Sequence, residues 1–392
     1  MSTAVIDPSA AVEDELTPAT WRDGKRYAWL LGLLVPTLPF IAYGLVHLTG
    51  LGAMWFFGPA LVFGIFPLAD LIVGIDAANP PDSVIKWLEQ DRYYRRCTYA
   101  FLPIQYAGLV FACWLWSSGQ LSTVDSIGLA LTMAMVSGIA INTAHELGHK
   151  RASLERWLSK IALASSGYGH FFIEHNRGHH VRVATPEDPA SSRLGESFWA
   201  FLPRTVAGSL RSSWELEIER LSRTNDGPWT WRNDILNAWA MTGVLFAVLV
   251  VAFGPVVLPY LLMQAIIGFS LLEVVNYLEH YGLLRQKRDD GRYERCAPEH
   301  SWNSNNVASN VLLYHLQRHS DHHANPMRRY QALRHFDEAP QLPTGYAGMI
   351  VLAYIPPLWR RVMDPRLLAH YQGDVSRANV HPRARRRYGA VA

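Results

Sequence analysis

Nine of the sixteen histidines in this chain fall in four short strings. His145 and His149 lie in HELGH, and His175, His179 and His180 in EHNRGHH. His280 lies in NYLEHYG, and His319, His322 and His323 in QRHSDHH. A neutral imidazole offers one nitrogen lone pair, and spacings of three and four place rings on one helical face. Imidazole donors suit iron, zinc, copper or nickel better than magnesium or calcium. Nine imidazoles exceed what one ion can hold, so two metal ions are expected. HELGH alone also satisfies the H-E-x-x-H pattern of zinc metalloproteases, with the glutamate as general base. A single hydrolytic zinc takes three protein ligands and an open position, which leaves seven clustered histidines without a task. An ion pathway through the membrane is a third reading, but these clusters fall at the ends of apolar segments and not in their middles.

The elements that must position these residues are legible in the spacing of charge. No Lys or Arg occurs between Arg26 and Lys86, between Arg96 and Lys150, or between Arg232 and Arg285. Each gap is more than twice the ~20 apolar residues that cross a hydrocarbon core of about 30 Å. Spans are therefore expected over 27–49, 51–75, 98–118, 122–144, 236–254 and 257–280. Their tight connections, around Gly50, Gly119 and Gly254-Pro255, carry turn formers and no basic residue. All the basic residues then fall on one side, which the positive-inside rule makes the cytoplasm, with both termini there. Kinks are expected at Pro36, Pro39, Pro67 and Pro103, since neighbouring helices can satisfy the freed backbone groups. The expected fold is an all-α integral membrane protein with six transmembrane helices in three hairpins and a helical cytoplasmic cap that carries the metal site. Residues 1–26 form a polar tail, 27–380 a single membrane domain with its cap at 145–235 and 281–380, and 381–392 a basic tail. The apolar stretch from Tyr346 to Trp359 contains Pro356-Pro357, is short for a span, and is read as an interfacial helix, with a buried core helix as the alternative.

Composition narrows the function further. A net charge of +3 and the absence of a basic tract interleaved with aromatics argue against nucleic acid. Cys97, Cys113 and Cys296 are scattered singly, so no C-x-x-C pair holds a second redox centre and electrons are expected from another protein. No basic start followed by an apolar run and a small-residue cleavage site precedes the first span, which is expected to act as its own insertion signal.

At the histidine strings the sequence resembles the integral-membrane non-haem di-iron enzymes, and within them the alkane monooxygenases, inside the fatty acid desaturase and hydroxylase superfamily. NTAHELGHK, GYGHFFIEHNRGHH, ATPEDPASSR, NYLEHYGLLRQK, SWNSNN and LQRHSDHHANP carry the likeness, which runs from about Lys25 to Asp364. It implies that all nine clustered histidines are ligands to two iron ions. It also implies hydroxylation of the terminal carbon of medium-chain n-alkanes with dioxygen, electrons from rubredoxin that an NADH-dependent reductase recharges, and a place in the bacterial inner membrane. A fatty-acyl desaturase or hydroxylase is the related alternative. Glu146, Glu174, Glu279 and Asp321 adjoin ligands and are candidates to orient them, as is His315. Trp55, Val62, Phe66, Leu271, Leu272 and Asn276 are candidate walls for an apolar substrate tube. Arg285, Lys287, Arg288, Arg292 and Arg295, with Arg328, Arg329 and Arg334, are candidates to dock an acidic rubredoxin or to meet lipid headgroups.

Overall fold

The computed structural model describes residues 20–389. Among them the chain is all-helical, with isolated backbone bridges and no strand. Helices long and apolar enough to cross a bilayer are α2 (Gly52–Val73), α3 (Arg92–Ser117), α4 (Thr123–Gly148), α7 (Asp234–Phe253) and α8 (Pro255–Glu279). The region expected as a first span is a short helix, Ala28–Leu34, followed by α1 (Leu38–Thr49) at 69°. The break falls around Pro36, where the missing N–H and the ring interrupt the ladder. The count is thus five spans, or six if the bent pair is one. Pro103 lies within the continuous α3, whereas Pro67 follows a π turn at Leu61–Ile65 in α2.

Helix α4 is the centre of the bundle, buried on most of its surface, and it packs chiefly on α8. Lipid removes the hydrophobic drive between helices, so close backbone approach and polar links must hold them. Gly138 provides the first: a Cβ there would come within 2.7 Å of the Gly268 carbonyl. Ser137 provides the second, donating to Gln264 Oε1 at 2.5 Å, while Gln264 Nε2 donates to the Ser165 carbonyl at 2.7 Å. The α4 N-terminus is capped by Ser122, and the helix runs four residues beyond its expected end at 144, carrying His145 on its last turn. Helix α8 ends at Glu279, one residue before His280.

The polar segments fold over these two helix ends through α5 (Ser153–Ala164), α6 (Phe198–Ser222), α9 (Val307–Leu312), α10 (His319–Ala324), α11 (Tyr346–Ala353) and α12 (Pro356–His370). Helix α11 corrects the interfacial reading of Tyr346–Trp359. Tyr346, Ala347, Met349, Ile350 and Ala353 are buried, and α11 packs on α8 as a core helix that ends before Pro356.

Candidate metal centre

The nine histidines converge from four separate stretches of chain. Their ligand nitrogens form two groups, each with all donors within 4.8 Å of one another. His145, His149, His175, His180 and His322 make one; His179, His280, His319 and His323 make the other. The division cuts both HH pairs. Adjacent helical residues point about 100° apart, so the two neighbours in each pair turn to different groups. On α10, His319 and His323 share a face and His322 turns to the other group. The second string departs from α geometry: Glu174–His179 is a π turn. Its i→i+5 bonding places His175 beside His180, with Nε2 atoms 3.1 Å apart, and sends His179 across. The spacing rule alone pairs His175 with His179.

The donor atoms fit metal ions. The Nε2 atoms of His145 and His322 lie 2.8 Å apart and those of His180 and His322 3.0 Å. In the other group His319 Nε2 lies 2.9 Å from His323 Nε2 and 3.2 Å from His280 Nε2. One N–H per neutral ring cannot satisfy several such contacts at once, but nitrogens about 2.1 Å from a common ion sit about 3 Å apart. His149 Nε2 and His179 Nε2 are buried with no hydrogen-bond partner, a costly state unless an ion takes the lone pair. Burial, then the neighbouring rings, holds His175, His180, His319, His322 and His323 well below the ordinary imidazole range. They are neutral, as ligands must be.

The residues behind the ligands differ from those the sequence singles out. Asp188, in ATPEDPASSR, accepts from His179 Nδ1 at 2.9 Å and from Ser191 Oγ at 2.6 Å. His280 Nδ1 lies 3.3 Å from the His300 carbonyl. Both fix which ring nitrogen faces the ion, and neither is adjacent in sequence to its histidine. Of the four candidate carboxylates, Glu279 alone reaches a ligand ring, with Oε2 3.2 Å from His319 Nε2. Glu146 pairs with Lys150 at 3.1 Å, Glu174 with Arg182 at 2.7 Å and Asp321 with Arg328 at 2.7 Å. His315 lies away from the ligands. Its Nδ1 meets the Tyr330 carbonyl at 2.9 Å and its ring abuts Trp29, in a turn where Tyr314 and His315 both have positive φ. That turn, with the buried Arg318 donating to the Leu333, Asp76 and Ala78 carbonyls, sets the start of α10 and hence the last histidine string.

An apolar cavity lies within the bundle, next to the histidines. Val62, Phe66, Leu271 and Leu272 line it, together with Ile139, Leu313, Ala347 and Ile350. A smaller chamber continues from it through the shared residues Asn142, Leu272, Val275 and Leu316, and is lined by Asn276, Glu279, His145, His175 and His319. Trp55 lies outside both, its carbonyl accepting from Thr132 Oγ1. The wall residues from α9, α11 and the turn after α9 come from outside the spans, where a sequence reading confined to spans does not look.

The basic candidates divide. Lys287, Arg288, Arg292 and Arg295 are exposed. Arg285 spends its guanidinium on the Glu294 and Val181 carbonyls, and Arg328, Arg329 and Arg334 pair with Asp321, Glu155 and Asp82.

A model of the fatty acid desaturase family matches residues 126–353, which take in all nine histidines. Alkane 1-monooxygenase of Acinetobacter baylyi is 49% identical over 374 residues, covering 93% of this chain and 90% of its own. Alkane 1-monooxygenase 1 of Alcanivorax borkumensis is 47% identical over 93% of this chain and 91% of its own, and alkane 1-monooxygenase of Pseudomonas putida is 46% identical over the same shares. With relatives at 46–49% identity over 93% of its length, the chain belongs to the alkane 1-monooxygenase family, within the wider fatty acid desaturase family.

Proposed function

We infer that this protein is a membrane monooxygenase that converts medium-chain n-alkanes to 1-alkanols. The observation that carries the reading is the apolar cavity adjoining a chamber lined by rings of both histidine groups. An unactivated C–H bond has no acidic proton and no leaving group, so acid–base and nucleophilic catalysis have nothing to attack. Two reduced iron ions, bound one to each group, would supply the dioxygen binding and electron transfer that such a bond demands. The balance is alkane, dioxygen, two electrons and two protons to alkanol and water.

The chain's own residues do the rest. An alkane partitions into lipid and can enter between helices without crossing water. Val62, Phe66, Leu271 and Leu272 hold its chain by apolar contact, and burial excludes water where oxygen is activated. Asp188 and the His300 carbonyl keep His179 and His280 in the tautomer that presents Nε2. The reading extends to six spans in three hairpins, with the bent pair as the first, one integral domain over 27–380, and cap and termini in the cytoplasm of a bacterial inner membrane. Electrons come from rubredoxin, and the exposed Lys287, Arg288, Arg292 and Arg295 are the surface that suits an acidic donor.

Purified protein loaded with iron and given rubredoxin, its reductase, NADH and octane should form 1-octanol. An alkene in place of the alcohol would move the chain to desaturation, and cleaved peptide to proteolysis.

A further inference from the structure

The two histidine groups are unequal in number, five against four, and an unused acid lies beside the smaller one. Glu279 is 2% exposed at the end of α8. Its Oε2 sits 3.2 Å from His319 Nε2, the nitrogen that also converges with His280 and His323. Its Oε1 is buried without a well-formed hydrogen bond, and the Tyr346 hydroxyl, likewise without one, is near enough to act on Glu279 as a weak donor. Among the described residues no lysine or arginine forms an ion pair with it, whereas Glu146, Glu174 and Asp321 each have one.

A buried carboxylate without a cation is costly, and two divalent ions held by neutral imidazoles would carry four uncompensated positive charges. Each problem answers the other. We propose that Glu279 supplies an oxygen ligand to the ion held by His179, His280, His319 and His323, on the side that faces the substrate chamber. Glu279 lines that chamber together with His145, His175 and His319, so it stands at the end of the substrate path and between the two groups. The smaller group is thereby brought to five donors, one of them anionic. The two sites would then differ in net charge and ligand field, and an ion beside the carboxylate would be the better stabilised in its oxidised form.

The proposal rests on the two-ion reading, and its test separates the two. Wild-type protein, Glu279→Gln and Glu279→Ala are loaded anaerobically with ferrous 57Fe, and iron content, Mössbauer spectra and release to a ferrous chelator are measured without substrate. Wild type should hold two irons in two equally populated quadrupole doublets. In Glu279→Gln, which keeps the shape and loses the charge, one doublet should shift, and that iron should leave about 10-fold faster or more. The other doublet and its release rate should stay as in wild type, and so report an intact fold; Glu279→Ala should behave like the Gln variant. Wild-type spectra and release in Glu279→Gln would overturn the proposal and leave Glu279 a protonated acid beside Tyr346. Equal weakening of both irons would overturn it too. Fewer than two irons in wild type would sink the two-ion reading itself.

Discussion

The two histidine groups are built from the same four strings yet are supported in different ways. The five-membered group takes His145 from the last turn of a long, buried helix and His149 from the residue that caps it, still in helical backbone conformation, so the scaffold itself aims two of its rings. The four-membered group takes His280 just past a helix end and His179 from the far side of a π turn. It is steadied by hydrogen bonds, Asp188 on His179 and the His300 carbonyl on His280, and Glu279 lies beside His319. Where a regular helix supplies ligand geometry, few outer contacts are needed; where the chain leaves the helix, remote acceptors must hold the rings.

The largest effect that bears on this contrast is removal of a ligand. His280→Ala should abolish alkanol formation and lower iron from two per chain to one, with membrane insertion intact. Retained wild-type turnover would show that the four-membered group is dispensable. His145→Ala should do the same to the other iron, and loss of both irons in either variant would show that the groups are a single cooperative site.

A smaller loss is expected from the supports. Asp188→Asn keeps a hydrogen-bonding group but no longer anchors the His179 ring as an anion does, and should lower iron affinity or activity about 10- to 100-fold. The loss should fall on one iron only; an equal effect on both would remove the distinction drawn above.

Changes in the cavity should spare both irons. Leu272→Ala and Phe66→Ala remove apolar contact with the substrate, worth about 1–3 kcal/mol between neighbouring chain lengths, and should shift preference toward longer alkanes. Competition between octane and dodecane reads this directly, and an unchanged product ratio would place the substrate path elsewhere. Trp55→Ala, outside the cavity, should alter the ratio less than either.

The smallest effect is expected at the surface. Reversing Arg288 and Arg292 to glutamate should raise the rubredoxin concentration needed for half-maximal rate, and rising salt should do likewise, since exposed charges are screened over about 8–10 Å near physiological ionic strength. Iron content should be unchanged. An unaltered rubredoxin dependence would assign these arginines to lipid headgroups.

Much of this organisation could be read in the chain. The gaps in Lys and Arg mark where apolar helices lie, because charge is too costly in hydrocarbon to be scattered there, and the expected bounds of α2, α7 and α8 agree with the helices to within two residues. The bent first pair was less legible: Pro36 and Pro39 signal a kink, but its 69° angle depends on what packs against it. The nine histidines announce a metal centre by number alone, and the structure sorts them into two groups. Which carboxylate reaches a ring was not legible from adjacency, since Glu146 and Asp321 are drawn to Lys150 and Arg328 while Asp188 arrives from a separate turn.

Residue type and local spacing determined the membrane class and the kind of metal donor, because these depend on chemistry that each residue carries with it. Only the tertiary structure decided how the HH pairs divide between ions, that Glu279 is left facing them without a cation, and that Leu313, Leu316, Ala347 and Ile350 close the cavity. Those outcomes depend on which distant segments meet and on backbone departures such as the Glu174–His179 π turn, and no local pattern encodes the sum of such contacts.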